Sequence, residues 1–193
     1  LGDADLLSKL VNLDIVYNFR KNDLINGGQG APLAPVFHKL IAKNYNLKPT
    51  IGILNIGGIS NITVIDENYN LISKDLGPGN CLVDTWVRKN SKKKFDIDGS
   101  LASQGVVNEI ILEQGHELYL NSSGKGKPSL DVNDFDVSFA RGLTLEDGAS
   151  TLTDFTAKII SSELIEINNL TKNKINKILI CGGGRKNKTM VQK

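Results

Sequence analysis

Residues 51–89 limit the possible folds most tightly. Ile51 to Ile56 reads as a strand, Gly57-Gly58 as a tight turn and Asn61 to Ile65 as a second strand. In that second strand Ile62 and Val64 alternate with Thr63 and Ile65 between the two faces. Leu71 to Asp75 reads as a third strand, so the block is a β-meander. Gly77-Pro78-Gly79-Asn80 then interrupts regular structure, and Cys81 to Lys89 is expected to be a helix. Two more helices are expected, from Val106 to Leu118 and from Thr151 to Ile167. The second places Leu152, Phe155, Ile159, Ile160 and Leu164 near one apolar stripe. Lys177 to Ile180 reads as a further strand, followed by the glycine turn Cys181-Gly182-Gly183-Gly184. Strands and helices interleaved in this way belong to the α/β class.

Upstream of this block the pattern is less regular. Asp3 is placed to cap a helix through Leu10, and Asp14-Ile15-Val16-Tyr17 reads as a short buried strand. Residues 27–32, Gly-Gly-Gln-Gly-Ala-Pro, exclude a regular element and form a loop, and Phe37 to Ala42 reads as helical. Farther along, residues 121–127 are polar and read as a surface connection, and residues 131–136 as a turn or cap. The chain opens at Leu1 rather than Met and ends as a new helix begins, so it reads as an internal segment of a longer protein.

Composition excludes several classes of function. A net charge of +2 gives no electrostatic footprint for nucleic acid or an anionic membrane. Two His and two Cys, Cys81 and Cys181, lack the spacing of a zinc site or a disulfide framework. No apolar run is long enough to span a bilayer, and a reducing cytoplasm is the default compartment. The basic run from Arg88 to Lys94 reads as a solvated helix end, with an anion-binding patch as the alternative.

Three places have the residue types for phosphate chemistry. The Gly57-Gly58 turn lets backbone N–H groups approach a phosphate because no Cβ intervenes, although Gly-Gly is also a common hairpin turn. Asp75 stands at a strand end before Gly77-Pro78-Gly79-Asn80 and a helix start. There a helix N-terminus favours an anion and a carboxylate can take a proton from a hydroxyl or water. The plain alternative is that Asp75 caps the turn. Gly182 to Gly184 would let a flat base or ribose lie against the backbone, or would simply lead into a helix. A dinucleotide fingerprint fails because Arg185, Lys186 and Asn187 follow without the third spaced glycine. The three places together suggest a nucleotide cleft on an α/β protein.

These segments, taken in order, resemble the anhydro-N-acetylmuramic acid kinase family. The resemblance is carried by Gly27 through Leu33, Leu54 through Asn61, Asp75 through Asn80, Phe95 through Gly99 with Ala102 and Gly105, and Cys181 through Gly184. It covers nearly the whole chain. It implies an incomplete actin-like ATPase and sugar kinase fold, of the ribonuclease H-like kind. Residues 1–45 would be the end of an N-terminal domain and residues 46–193 part of a C-terminal ATPase-type domain. The implied reaction uses ATP and Mg²⁺ to phosphorylate 1,6-anhydro-N-acetylmuramic acid while water opens its anhydro ring, in peptidoglycan recycling. The resemblance makes Asp75 the general base. It assigns Gly57, Gly58, Asn61, Gly77, Gly79, Asn80, Gly182, Gly183 and Gly184 to ATP, and Arg20, Asp23 and Gln29 to the sugar. No protein ligand to the metal is assigned, and a homodimer is implied.

The sequence departs from the family pattern in several places. The N-terminal Gly-Thr-Ser-x-Asp-Gly hairpin that grips ATP is missing, as are a downstream His-containing motif and the C-terminal segment with its acidic residue. Asn18 stands where the family has Asp, and Val132 where it has Arg. Two other readings stand beside the kinase: another sugar kinase or acetate-kinase-like member of the superfamily, and a non-catalytic nucleotide-binding module or decayed fragment.

Overall fold

The computed structural model describes residues 2–28, 30–121 and 129–193. The expected polar connection therefore lies outside the described residues from 122 onward, and so does Gln29. The chain divides into two compact units, Leu1–Phe37 and His38–Lys193.

In the first unit, Asp3 caps helix α1, Ala4–Val11, by accepting the Leu6 N–H at 2.9 Å. Helix α2, Phe19–Ile25, follows and contains Arg20 and Asp23. The strand expected at Asp14 to Tyr17 does not form, and Val16 is 77% exposed. Apolar residues in an extended run become a strand only with a ladder partner, and no described strand pairs with them. Helix α3, Ala34–Asn44, is longer than the expected Phe37 to Ala42 and continues into the second unit.

The second unit is built on a four-stranded sheet of β1 (Ile51–Ile56), β2 (Ile59–Ile65), β3 (Leu71–Pro78) and β4 (Lys177–Cys181), in the order β3-β2-β1-β4. The expected meander is present: β1, β2 and β3 pair antiparallel in sequence. β4 pairs parallel with β1, as a long helical crossover allows. The crossover contains α4 (Cys81–Asn90), α5 (Glu109–Leu120) and α6 (Leu145–Leu170). A short helix, α7 (Lys188–Val191), follows β4.

Both faces of the sheet centre are covered. Leu54, Ile56, Ile62, Val64 and Leu76 pack with Ala157 and Ile160 of α6, while Ile51, Ile53 and Ile65 pack with Ala42 of α3. That explains why Ile62 and Ile65, on opposite faces of one strand, are both fully buried. A larger core joins α4, α5 and α6 through Trp86, Val87, Leu112, Leu152 and Phe155.

Two helix boundaries differ from expectation. α6 begins at Leu145 rather than Thr151, because Thr144 accepts the Asp147 N–H at 3.1 Å and Gly148 fits beneath Trp86. A Cβ at Gly148 would stand 2.2 Å from Trp86 Cε2, so the glycine there permits close packing instead of ending the helix. α5 begins at Glu109 rather than Val106, because Asn108 accepts the Ile111 N–H at 3.1 Å. Arg88 and Lys89 occupy the last turn of α4, and Lys92, Lys93 and Lys94 are exposed, as a solvated helix end requires.

Leu152 is fully buried between these helices. Leu152→Ala is expected to lower unfolding stability by about 2–5 kcal/mol in urea titration, and a loss below about 1 kcal/mol would contradict this packing.

Candidate functional site

The site is built where β1 and β4 both end. Outside the carboxyl ends of parallel strands is where open α/β sheets place ligands. Gly57-Gly58 joins β1 to β2, and the start of α4 is docked onto it. Gly79 N–H donates to Gly58 O at 2.9 Å, Asn80 N–H to Gly57 O at 2.7 Å and Cys81 N–H to Gly58 O at 3.2 Å. Gly57 N–H donates to Ile59 O at 3.1 Å. Gly79 is glycine for a steric reason: a Cβ would stand 2.3 Å from Gly57 O. The amides of Gly79, Asn80 and Cys81 are therefore bonded to the turn, so these three groups at the entry to α4 are not presented to an anion.

The turn after β4 closes on the same place. A Cβ at Gly182 would meet Asn55 Oδ1 and Ile56 O, both at 2.5 Å, and one at Gly184 would meet Ile56 Cγ2 at 2.2 Å. Gly182 has φ +81°, in the region that favours glycine. A Cβ at Gly183 would lie 3.5 Å from Asn80 Nδ2, and Gly183 itself is exposed. Arg185 braces the turn by donating to Gly182 O at 2.7 Å.

Just below these turns, one row of polar residues crosses the sheet. Asp75 on β3 pairs with Asn61 on β2, Asn61 with Asn55 on β1, and Asn55 with Cys181 on β4. Residues in register project to one face, so four polar side chains share it. Asp75 and Asn61 are partly exposed, and Asp75 Oδ2 accepts the Leu130 N–H at 2.9 Å. Cys181 Sγ lies 3.8 Å from Asn55 Oδ1, and burial pushes its thiol pKa up. Lower on this face His38 Nδ1 contacts Thr63 Oγ1 at 2.9 Å, and burial pulls the imidazole below its ordinary value.

Gly77 is placed differently from the other site candidates. The register between β2 and β3 shifts at Ser60/Asn61, and Gly77 takes φ +149°. A Cβ on it would point at Ile159 Cγ2, 2.6 Å away on α6. The buried Ser60 hydroxyl donates to Gly77 O at 3.0 Å and Pro78 O at 3.1 Å, fixing the bulge. Gly77 is thus a packing residue in this structure, turned to the helix layer. Cys81, also beside the turn, is buried, and desolvation raises its thiol to about 11.

Arg20 and Asp23 belong to the first unit. Asp23 holds its own glycine loop, since its Oδ2 accepts the Gly30 N–H at 2.7 Å and its carbonyl the Gly28 N–H at 2.8 Å. Arg20 is exposed on α2. Asn55 was missed as a site residue in the sequence; its place in the polar row follows from strand register, which the residue pattern alone does not provide.

This arrangement coincides with a family-wide sequence match. The family model for anhydro-N-acetylmuramic acid kinase covers residues 1–193. The chain belongs to the anhydro-N-acetylmuramic acid kinase family. An anhydro-N-acetylmuramic acid kinase of Pelagibacter ubique (strain HTCC1062) is 48% identical over 194 residues, all of this chain and 52% of that protein. One of Methylorubrum extorquens is 41% identical over 193 residues, 99% of this chain and 49% of that protein. One of Rhodopseudomonas palustris (strain ATCC BAA-98 / CGA009) is 39% identical over the whole chain and 51% of its own length. The chain spans about half the length of the curated relatives it matches. The family has the sugar kinase and actin-like ATPase fold, and the α/β sheet here is part of such a domain.

Gly79→Ala is expected to push the start of α4 off the Gly57-Gly58 turn and cost about 1–3 kcal/mol of stability. A melting curve identical to the parent would show that the two are not in contact.

Proposed function

We propose that the protein containing this chain is an ATP-dependent carbohydrate kinase acting on 1,6-anhydro-N-acetylmuramic acid in peptidoglycan recycling. The observation that carries the reading is the setting of Asp75. Its carboxylate stands in the polar row at the end of the sheet, one oxygen accepting the Leu130 N–H, below the glycine turns that follow β1 and β4. The family match and the names of the relatives support the substrate. In the proposed reaction O6 takes the γ-phosphoryl group of ATP while the C1–O6 bond breaks. A water oxygen bonds to C1 and its proton passes to Asp75, giving N-acetylmuramic acid 6-phosphate and ADP. Water is a poor nucleophile until a base takes its proton, which is the role given to Asp75.

Gly57, Gly58, Asn61, Gly79, Asn80, Gly182, Gly183 and Gly184 are the residues we assign to the nucleotide. The turn carbonyls are already bonded, so what these glycines offer is bare backbone and close approach. Gly77 supports this set from behind. Arg20, Asp23 and Gln29 are assigned to sugar positioning.

No cluster of three or more His, Cys, Asp or Glu side chains is arranged to hold a metal among the described residues. Mg²⁺ arriving with ATP would take one or two carboxylates and otherwise phosphate and water oxygens, so it needs no preformed cage in the protein. When bound, Mg²⁺ neutralises charge on the transferring phosphates.

We assign residues 1–45 to the end of an N-terminal domain and 46–193 to an ATPase-type domain, acting in the cytoplasm, with a homodimer as the assembly the family resemblance supports. No helix among the described residues is long and apolar enough to cross a membrane.

The test is to express the full reading frame and incubate it with ATP, Mg²⁺ and 1,6-anhydro-N-acetylmuramic acid. Mass spectrometry is expected to find a product heavier by one phosphoryl group and one water. Phosphoryl gain without water would make it an ordinary sugar kinase and remove Asp75 as the water-activating base. No product would favour a non-catalytic nucleotide-binding protein. Gly58 also makes a specific prediction. Among the described residues a Cβ there meets Val132 Cγ1, at 3.2 Å, so a bulky side chain would crowd Val132 and the proposed phosphate space beside it. Gly58→Phe is expected to weaken ATP binding by calorimetry, and unchanged affinity would remove this turn from the nucleotide site.

A further inference from the structure

One short segment touches both halves of the candidate site. Leu130 donates its N–H to Asp75 Oδ2 at 2.9 Å, from a position 55 residues later in the chain. Two residues on, Val132 lies over Gly58, where an added Cβ would be 3.2 Å from Val132 Cγ1. Among the described residues β3 is an edge strand, so there strand pairing holds Asp75 from the β2 side. Leu130 supplies a hold from outside the ladder.

The segment is itself braced. Asp131 caps a single 3₁₀ turn, Val132–Asp134, in a reciprocal capping box. Its carboxylate accepts the Asn133 backbone N–H at 2.9 Å and Asn133 Nδ2 at 2.7 Å. In return Asp134 Oδ2 accepts the Asp131 N–H at 2.8 Å. Asp131 and Asn133 are exposed and Asp134 half-buried, so this bonding does not serve to fill a core. It holds the Leu130–Asp131 peptide, the next one along from the peptide whose N–H Asp75 accepts, and so restrains where Leu130 sits.

We propose that the Asp131–Asp134 brace is a positioning device for Asp75, with Asp134 as its key positioning residue. A carboxylate gripped at Oδ2 loses rotation about its last bond, so Oδ1 keeps one direction toward the atom it serves. The brace sets the plane of the acid while Val132 sets the depth of the space above Gly58. This inference rests on the reading of Asp75 as the base.

The test compares Asp134→Ala, Asp134→Asn and Asp75→Asn in the full reading frame, by kcat, by KM for ATP and sugar, and by melting temperature. Misplacing a reacting group by about 1 Å costs on the order of 100-fold, so Asp134→Ala is expected to lower kcat about 10- to 100-fold. Both KM values should stay as in the parent. Asp134→Asn should restore kcat, because its amide oxygen still accepts the Asp131 N–H. Parental kcat in Asp134→Ala, a rise in KM alone, or an Asn variant as slow as the Ala variant would each overturn the brace. Should the melting curve show Asp134→Ala unfolded, Asp131→Ala removes the other half of the box and has the same expected and contradicting results. Asp75→Asn separates the two layers of argument. If it is inactive while Asp134→Ala is normal, the brace alone fails. If it turns over normally, the base reading fails and the brace loses its role.

Discussion

The architecture depends on the docking of one backbone turn against another. The carbonyls of Gly57 and Gly58 receive the amides of Gly79, Asn80 and Cys81, which joins the first hairpin to the first turn of α4. This contact satisfies amides that a helix start would otherwise leave without partners. It also sets where β3 must end, and with it the position of Asp75. No side chain could replace it, because a Cβ on Gly79 would occupy the space of the Gly57 carbonyl. The turn after β4 then closes over the end of β1 with the same economy of side chains.

From that constraint the candidate site follows in steps. The bulge at Ser60/Asn61 turns Gly77 into the helix layer and leaves Asp75 in register with Asn61. The parallel pairing of β1 with β4 brings Asn55 and Cys181 into the same row. α6 supports the bulge from behind through Ile159, so the core and the site share one element. The chain thus combines a packed sheet end with glycine backbone on its rim, beside the one carboxylate of the polar row.

The meander, the glycine turns and the start of α4 were legible in the sequence because glycine and proline mark them directly and period-two alternation fills the strands. Asp14 to Tyr17 misled for a physical reason: a short apolar run becomes a strand only if another strand is there to pair with it. The start of α6 at Leu145 rests on the Thr144 cap and on Gly148 lying against Trp86, a packing contact that the apolar stripe from Leu152 onward does not announce. The inward turn of Gly77 depends on a register shift that no residue type announces. Likewise, Asn55 joins Asp75 through strand register, and Leu130 reaches Asp75 across a long sequence separation. Family resemblance pointed to Asp75 as the candidate acid, and its neighbours follow from the structure.

The most direct measurement of the central claim is a crystal structure of the full-length protein with a non-hydrolysable ATP analogue and 1,6-anhydro-N-acetylmuramic acid. The account predicts a water beside C1 of the sugar within hydrogen-bond reach of the Asp75 carboxylate, about 2.6–3.2 Å. It also predicts nucleotide phosphates against the Gly57-Gly58 turn and Leu130 still bonded to the second carboxylate oxygen. A sugar bound away from Asp75, with another group holding the water, would contradict it.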